Sequence, residues 1–488
     1  MFDRCDGRAR RLRSLGPLVV STLVLAACED GPTLPEDPTL VSLEEPAVGA
    51  TVARDLRVEL DRPGNVVVNY RLPGEAGLEL LSSQPAEEHA FDLTRLRPGM
   101  SYDVEVTLYA VGSDEPGLTE AFTVQTSPLP AHLAALTFDV TGTPTMPLTM
   151  LEVTVPQLDG APIIVDAAGE VVWFREASDE LLHGVGVLPD GRGFAINTRE
   201  GVAVIGPNQL QEAWLSETEA AARAGTGTFE IHHEVIHRED SELLLLVHDT
   251  GTVSDTVWTG EAIWSWDWES DVLTKLWSSF DQWSPVDHRG ARTAPWDWIH
   301  SNALSIGPRG NVLLSSFWTH EVASISSDFS SIEWMLGGPV SSFVVADGAM
   351  DAGQHTPFEV ATNRVLLFDN GLDRPGGEQF SRAIELELDP ASGTAEVVWE
   401  FRPDPDVFAP IVGSVQRLEN GNTVAAFGTS PGFNGLPASG PIVVYEVDPA
   451  GDVVWRMEVG GASLLYRATP LETIGGERAA VPGVRAGS

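Results

Sequence analysis

The feature that most constrains this fold is a repeat. From about residue 151 onward, an Asp/Gly turn leads into a strand that ends in tryptophan, and this happens six times: DAAGEVVW (Trp173), GPNQLQEAW (Trp214), ESDVLTKLW (Trp277), SSDFSSIEW (Trp334), DPASGTAEVVW (Trp399) and DPAGDVVW (Trp455). Between them lies a strand–turn–strand unit: HGVGVLPDGRGFAI, HHEVIHREDSELLLLV, HSNALSIGPRGNVLLSS, HTPFEVATNRVLLFD, GSVQRLENGNTVAAFG and a worn sixth copy, RATPLETI. Each repeat supplies about four short strands, the content of one β-propeller blade. Six repeats predict an all-β chain with a six-bladed propeller over residues 151–475, whose last blade is completed by Met150 to Val155. The tryptophans are expected to pack between blades rather than to line a ligand cage.

The chain ahead of the repeat divides by composition. Arg4, Arg8, Arg10, Arg11 and Arg13 precede an apolar run from Leu15 to Ala27, the layout of a secretory signal. That run is about 13 residues, short for a membrane-spanning helix. It ends Leu-Ala-Ala-Cys at Cys28, which resembles the lipobox of bacterial lipoproteins and makes Cys28 the expected lipidation site. The expected location is therefore the cell envelope, periplasmic or outer-membrane, with membrane attachment through lipidated Cys28 alone. Residues 28–37 read as an acidic tether, 38–127 as a small fibronectin III/Ig-like β-sandwich, 128–150 as a proline-punctuated connector and 476–488 as a tail. In the sandwich, LTRLRPGMSY resembles a fibronectin type III corner, with Tyr102 packing ahead of a long strand. The module has one histidine, His89, and no clustered acid-base set, so a spacer or packing role is expected for the module as a whole.

Once the signal leaves, Cys28 is the one cysteine that remains, so no internal disulfide can form and the core must hold the fold. The formal charge is −42, and residues 1–27 carry five arginines against two aspartates, so the remainder is near −45. Such a surface repels nucleic acid, and no nucleic-acid partner is expected.

In a propeller the innermost strand of every blade runs in the same direction along the central channel, so residues at one register converge on one rim. Counting back eight from the turn after each inner strand gives His183, His233, Asn302, His355 and Gly413, with His300 two residues before Asn302. Strand alternation puts His300 and Asn302 on one face, and lets only one of His232 and His233 point inward. Histidine is 11 of 488 residues, so this phase is informative. Clustered imidazoles suit transfer of an anionic group: one attacks and holds the group, and the others stabilise developing charge or move a proton. A structural role for these histidines and a zinc or copper site stand beside that reading. There is no glycine-rich phosphate loop or nucleotide fingerprint.

At these residues the chain resembles the bacterial arylsulfotransferase family over about residues 150–475, on HHEV, DWIHSNAL, IEWMLGG, GQHTPF, LLFDNG, SRAIELELDP and GSVQRLENGNT. The resemblance implies an exported six-bladed propeller that moves a sulfuryl group from an aryl sulfate to a phenol through a sulfohistidine, without nucleotide. No cofactor is expected, and this reading needs no metal. It implies His355 as nucleophile, His300 and Asn302 as holders of the sulfuryl oxygens, and His233, or else His232, as the remaining histidine. His183 is a further candidate from the neighbouring blade. One departure stands out. After the HSNAL strand the family commonly has an arginine that binds the sulfuryl group; here the text is Ser315-Ser316-Phe317-Trp318. Arg382, Arg289 and Arg292 are candidate substitutes, and Phe317 and Trp318 suit either stacking on an aromatic substrate or plain packing. Two alternatives follow: a non-catalytic, surface-anchored propeller that binds an aromatic or carbohydrate ligand, and a metal-dependent propeller enzyme.

Overall fold

A computed structural model describes residues 37–44, 52–155, 158–175, 180–288, 294–346, 348–350, 353–372, 374–428 and 440–478. Cys28, the signal, most of the tether, Arg289, Arg292 and the last ten residues lie outside the described residues, so the lipidation and two of the arginine candidates are not addressed by it.

Apart from the first module, the described strands form six sheets of four or five strands, antiparallel except for the short outer strand Val344–Val345, which pairs parallel to Thr394–Phe401. In chain order their innermost strands are Glu180–Val187, Ile231–Glu239, Ser301–Ile306, Gln354–Ala361, Ser414–Arg417 and Leu464–Leu471. Each innermost strand neighbours the next, and Leu464–Leu471 returns to Glu180–Val187, so the sheets close a ring. This is a β-propeller, and we number its blades 1 to 6 in that order.

Closure is made by the two ends of the repeat region. The C-terminal strand Leu464–Leu471 is the inner edge of blade 6, and Leu148–Val155, Leu158–Asp166 and Val171–Phe174 are its outer strands. The expected connector is therefore partly propeller. Thr137–Gly142 adds a fifth, outermost strand to blade 5 by pairing with Val453–Gly460, and Leu148 already belongs to blade 6. The prolines of that segment had masked this: Pro128 and Pro130 precede the first strand and Pro144 and Pro147 lie between the two, so none falls inside a strand.

The six repeat tryptophans all fall in the fourth strand of their blades. Trp173, Trp277, Trp334 and Trp455 are buried, Trp399 is half-buried, and Trp214 is 36% exposed. Packing therefore accounts for most of them.

The first module is a seven-stranded antiparallel arrangement built on the 18-residue strand Arg54–Arg71. The early part of that strand pairs with Leu40–Glu44 and Ala86–Leu93, the later part with Leu78–Leu81 and Ser101–Ala110. Ser101–Ala110 alternates buried and half-buried residues, one face to the core. Tyr102 is buried and its hydroxyl accepts the Arg97 N–H at 2.7 Å. His89 is buried against the Gly64 and Ala86 carbonyls, consistent with packing. One apolar core runs from this module (Val58, Phe91, Val104) into blades 5 and 6 (Val444, Trp455, Leu151, Phe174). Glu477–Arg478, in the expected tail, adds a strand to the module beside Ala86–Leu93.

The inner strands carry irregularities at one level. Gly184, His233, His300, Thr356 and Gly413 all have positive φ (95°, 54°, 52°, 44° and 102°). Each of the four named in blades 1 to 4 sits at or beside a register shift against the second strand. A bulge adds one residue and re-aims the side chains next to it. At Gly413 a Cβ would come within 2.6 Å of the Phe368 ring. Gly413→Ala is therefore expected to cost about 2 kcal/mol, read as a lower denaturation midpoint; an unchanged midpoint would contradict this account of the Gly413 backbone and its close approach to Phe368.

Candidate functional site

The bulges explain how the histidines are presented. His232 and His233 were expected on opposite faces, but the positive φ at His233 breaks the alternation and the two rings meet, Nδ1 to Nδ1 at 2.8 Å. The same happens at the start of the blade 3 inner strand. His300, in the left-handed region, faces His233 with ring centroids 5.0 Å apart. Asn302, expected on the same face, is buried instead, and its amide nitrogen donates to the Gln354 carbonyl at 2.9 Å, bracing the strand that carries His355. Phe317 packs edge-on to both His300 (5.9 Å) and His355 (5.5 Å). Tyr466 stands 6.2 Å from His233 and 6.3 Å from His355. Its hydroxyl donates to the Asn302 carbonyl at 2.8 Å, from blade 6 to the blade opposite. His233, His300 and His355, from blades 2, 3 and 4, are thus gathered around Phe317 and Tyr466. His183 lies in the inner strand of blade 1, and its side chain falls outside the described residues.

Each of the three rings is fixed through Nδ1 by a different partner. For His355 the partner is Asn370, whose Oδ1 lies 2.7 Å from Nδ1. The Asn370 amide nitrogen donates to the Ala409 and Val412 carbonyls, both at 2.7 Å, so the amide cannot be reversed and its oxygen must face the imidazole. An amide oxygen only accepts. His355 therefore carries its proton on Nδ1 and keeps a lone pair on Nε2. Burial, aided by His300 and Arg467 and opposed by the Asn370 hydrogen bond, holds its pKa down at about 3.

For His300 the partner is Asp297, whose Oδ2 accepts from Nδ1 at 2.6 Å and from the Trp318 indole N–H at 3.2 Å. A carboxylate in that place suits a ring that takes up or delivers a proton. For His233 the partner is His232, backed in turn by Glu261. Burial holds the His232 pKa below its usual value. Burial also works against the Glu261 carboxylate, but His232 and His248 outweigh it and hold Glu261 at about 2. A neutral His232 beside an anionic carboxylate donates from Nε2 to Glu261 Oε2, at 2.7 Å. Its Nδ1 then accepts from His233 Nδ1, and His233 too is left with a lone pair on Nε2.

Below the rings, Arg467 forms a two-point ion pair with Glu234 (2.8 and 2.6 Å), linking blades 6 and 2. Burial works against the Arg467 charge, but Glu234 and Glu152 keep its pKa above the usual arginine value. Burial lifts the Glu152 carboxyl to about 8, with Arg467 opposing and Glu234 assisting. A cavity of about 290 Å³ is lined by inner-strand residues of five blades, among them Val185, Ile236, Thr356, Ser414 and Arg467. None of the three rings lines it.

Arg382 is corrected by this geometry. Its guanidinium bonds Asp369 at 2.9 Å and Glu400 at 2.6 Å, and also meets the Gly348 carbonyl. A cation already neutralised by two carboxylates is not a substitute for the expected sulfuryl-binding arginine. Phe317 is 3% exposed and fills the position where that arginine is expected, while Trp318 is half-buried with its ring 5.0 Å from His300.

A family model described as arylsulfotransferase (ASST) matches residues 139–467, about two thirds of the chain. The chain belongs to the arylsulfotransferase family. Among curated proteins, the arylsulfate sulfotransferase AssT of Escherichia coli O6:H1 is 23% identical over an alignment of 168 residues, with 28% of this chain and 28% of that protein covered. The match thus spans just over a quarter of that relative's length. Among solved structures, a periplasmic gluconolactonase of Pseudomonas aeruginosa superposes with a TM-score of 0.34 at 13% identity, covering 65% of this chain and 98% of its own. A catalytically inactive virginiamycin B lyase of Staphylococcus aureus, with quinupristin, gives 0.33 at 7% identity, covering 66% and 99%. Neither likeness bears on the site. The family match begins at residue 139, inside the strand that the connector contributes to blade 5.

Asp297, Asn370, His248, Glu261 and Tyr466 were not picked out from sequence as site residues. Asp297 and Asn370 sit in quoted motifs, DWIHSNAL and LLFDNG, and acid three before His300 is a readable signal. Glu261 and His248 carry none, since they reach His232 only through sheet pairing.

The His355 ring yields a stability prediction. Its pKa moves from 6.5 to about 3 on folding, so between those values the unfolded chain binds the extra proton. The protein keeps its full stability above pH 6.5 and loses the His355 part as pH falls toward 3. His355→Gln should flatten that acid-side loss by a few kcal/mol in denaturation curves run against pH; an identical acid limb in both proteins would contradict it.

Proposed function

We propose that the chain transfers a sulfuryl group from an aryl sulfate ester to a phenolic acceptor, in two steps and without nucleotide, through a covalent intermediate on His355 Nε2. The observation that carries this reading is the Asn370 bracket, which forces the His355 proton onto Nδ1 and leaves a neutral, nucleophilic nitrogen at neutral pH. In the first step the Nε2 lone pair forms the N–S bond as the S–O(aryl) bond breaks, and the phenolate leaves. In the second the acceptor oxygen forms an S–O bond, the N–S bond breaks, and the acceptor gives up its proton.

His300, with Asp297 behind it, is the residue placed to deliver a proton to the leaving oxygen and to take one from the acceptor. His233 flanks the group being moved, and Asn302 acts from behind, bracing the strand that carries His355. Arg467 is held by Glu234 on both of its terminal nitrogens, so it does not replace the family's arginine as a direct clamp. Phe317 and Trp318 supply an aromatic wall at that place, which favours an aromatic substrate whose ring is held by packing. The same wall is what favours the ligand-binding alternative.

Incubation with 4-nitrophenyl sulfate and a phenol separates the two. Transfer predicts 4-nitrophenolate release by the native protein and a fall of at least about 10³-fold in His355→Ala. Ligand binding with no turnover across phenolic acceptors, unchanged in His355→Ala, would overturn it.

The same reading includes export and a lipid anchor on Cys28, supported by the basic start, the apolar run and the Leu-Ala-Ala-Cys sequence. Cells fed a labelled fatty acid should incorporate it into the native protein and not into Cys28→Ser. Equal labelling of both would remove the anchor.

A further inference from the structure

Behind His233, three donors from three adjacent strands of blade 2 meet at one point. His232 comes from Ile231–Glu239, His248 from Glu242–Val253 and Glu261 from Thr256–Asp267. His248 and Glu261 are directly opposed in the sheet register, and directly opposed residues hold their side chains side by side. One ligand atom from each residue lies within 4.8 Å of the others. His232 Nε2 is 2.7 Å and His248 Nδ1 3.5 Å from the same oxygen, Glu261 Oε2. The other Glu261 oxygen is occupied, accepting the Ser301 N–H at 3.0 Å. His248 Nδ1 is buried and faces the Glu261 carboxylate at 3.5 Å, a long contact that leaves room for an ion between them.

We propose that His232, His248 and Glu261 form a divalent-cation site of the zinc type. Two imidazoles and a carboxylate are the ligand set of many zinc sites that keep a fourth position for water. The secondary partners are in place: His232 leans on His233 through its other nitrogen, and Glu261 on the Ser301 backbone. The His248 side chain is 25% exposed, which gives an ion a way in while Glu261 is fully buried. The stacking of His232 on His248, with ring centres 3.9 Å apart, already brings both rings to one side of the carboxylate. A small turn of the more exposed His248 brings Nδ1 to bonding distance.

The site has a consequence for the neighbouring ring. An ion on His232 Nε2 displaces the proton there, so His232 carries its proton on Nδ1 and donates it to His233 Nδ1. His233 then presents an N–H at Nε2 instead of a lone pair. That adds a hydrogen-bond donor and a nearby positive charge to a histidine cluster in which Phe317 stands at the expected arginine position. This consequence rests on the sulfuryl-transfer reading; the ion site itself does not.

The test uses the full chain made without a histidine tag, stripped with a chelator and then dialysed against micromolar zinc chloride, with metal read by mass spectrometry. About one zinc per chain is expected in the native protein. At least a ten-fold weaker retention is expected in His248→Ala and in Glu261→Gln, with His237→Ala as a control that keeps the ion. Circular dichroism of each variant checks folding. Native protein that retains no zinc, or a folded His248→Ala that retains as much as native, would overturn the site. Neither outcome depends on aryl sulfate turnover, so a failed zinc test leaves the transfer reading standing, and a failed transfer test leaves the zinc site standing.

Discussion

Ring closure is the constraint on which the rest depends. The strand Leu464–Leu471, at the far end of the repeats, pairs with Leu148–Val155 at their beginning, and only then do six inner strands surround one axis. The closing strand is also the one that reaches furthest across. Its Tyr466 bonds the Asn302 carbonyl in the opposite blade, and its Arg467 bonds Glu234 in blade 2. Closing the ring and seating the residues beneath the histidines are therefore one event.

At the axis, three histidines differ in chemistry because their Nδ1 partners differ. An amide that can only accept leaves His355 neutral with a free electron pair. A carboxylate behind His300 suits proton handling. An imidazole backed by a carboxylate behind His233 can exist with either polarity, depending on what occupies His232 Nε2. The positive-φ bulges make this possible. Without the kink at His233, the ring next to it in sequence would lie on the other face of the sheet and could not touch it.

The sheet content and the phase of the blades could be read directly, because a tryptophan at the end of each fourth strand and a turn after each inner strand are local signals. Three of the axial histidines could be read for the same reason: the inner-strand register placed His233 and His355 together, and His300 beside them. What could not be read was set by non-local pairing or by backbone kinks. Strict alternation put Asn302 with His300 and separated His232 from His233, and the bulges reverse both. Arg382 looked like a spare cation in sequence, because Asp369 lies on the neighbouring strand and Glu400 on the next. The prolines between 128 and 150 read as a connector, although two strands of the ring begin there.

The central claim is that His355 Nε2 carries the sulfuryl group. Its most direct test is intact-mass measurement of protein quenched during reaction with an aryl sulfate in the absence of acceptor, followed by peptide mapping under mildly alkaline conditions. The account predicts a gain of one sulfuryl group, located in the peptide that contains His355 and discharged on adding a phenol. A sulfuryl group found on another residue, or turnover with an unmodified His355 throughout, would contradict it.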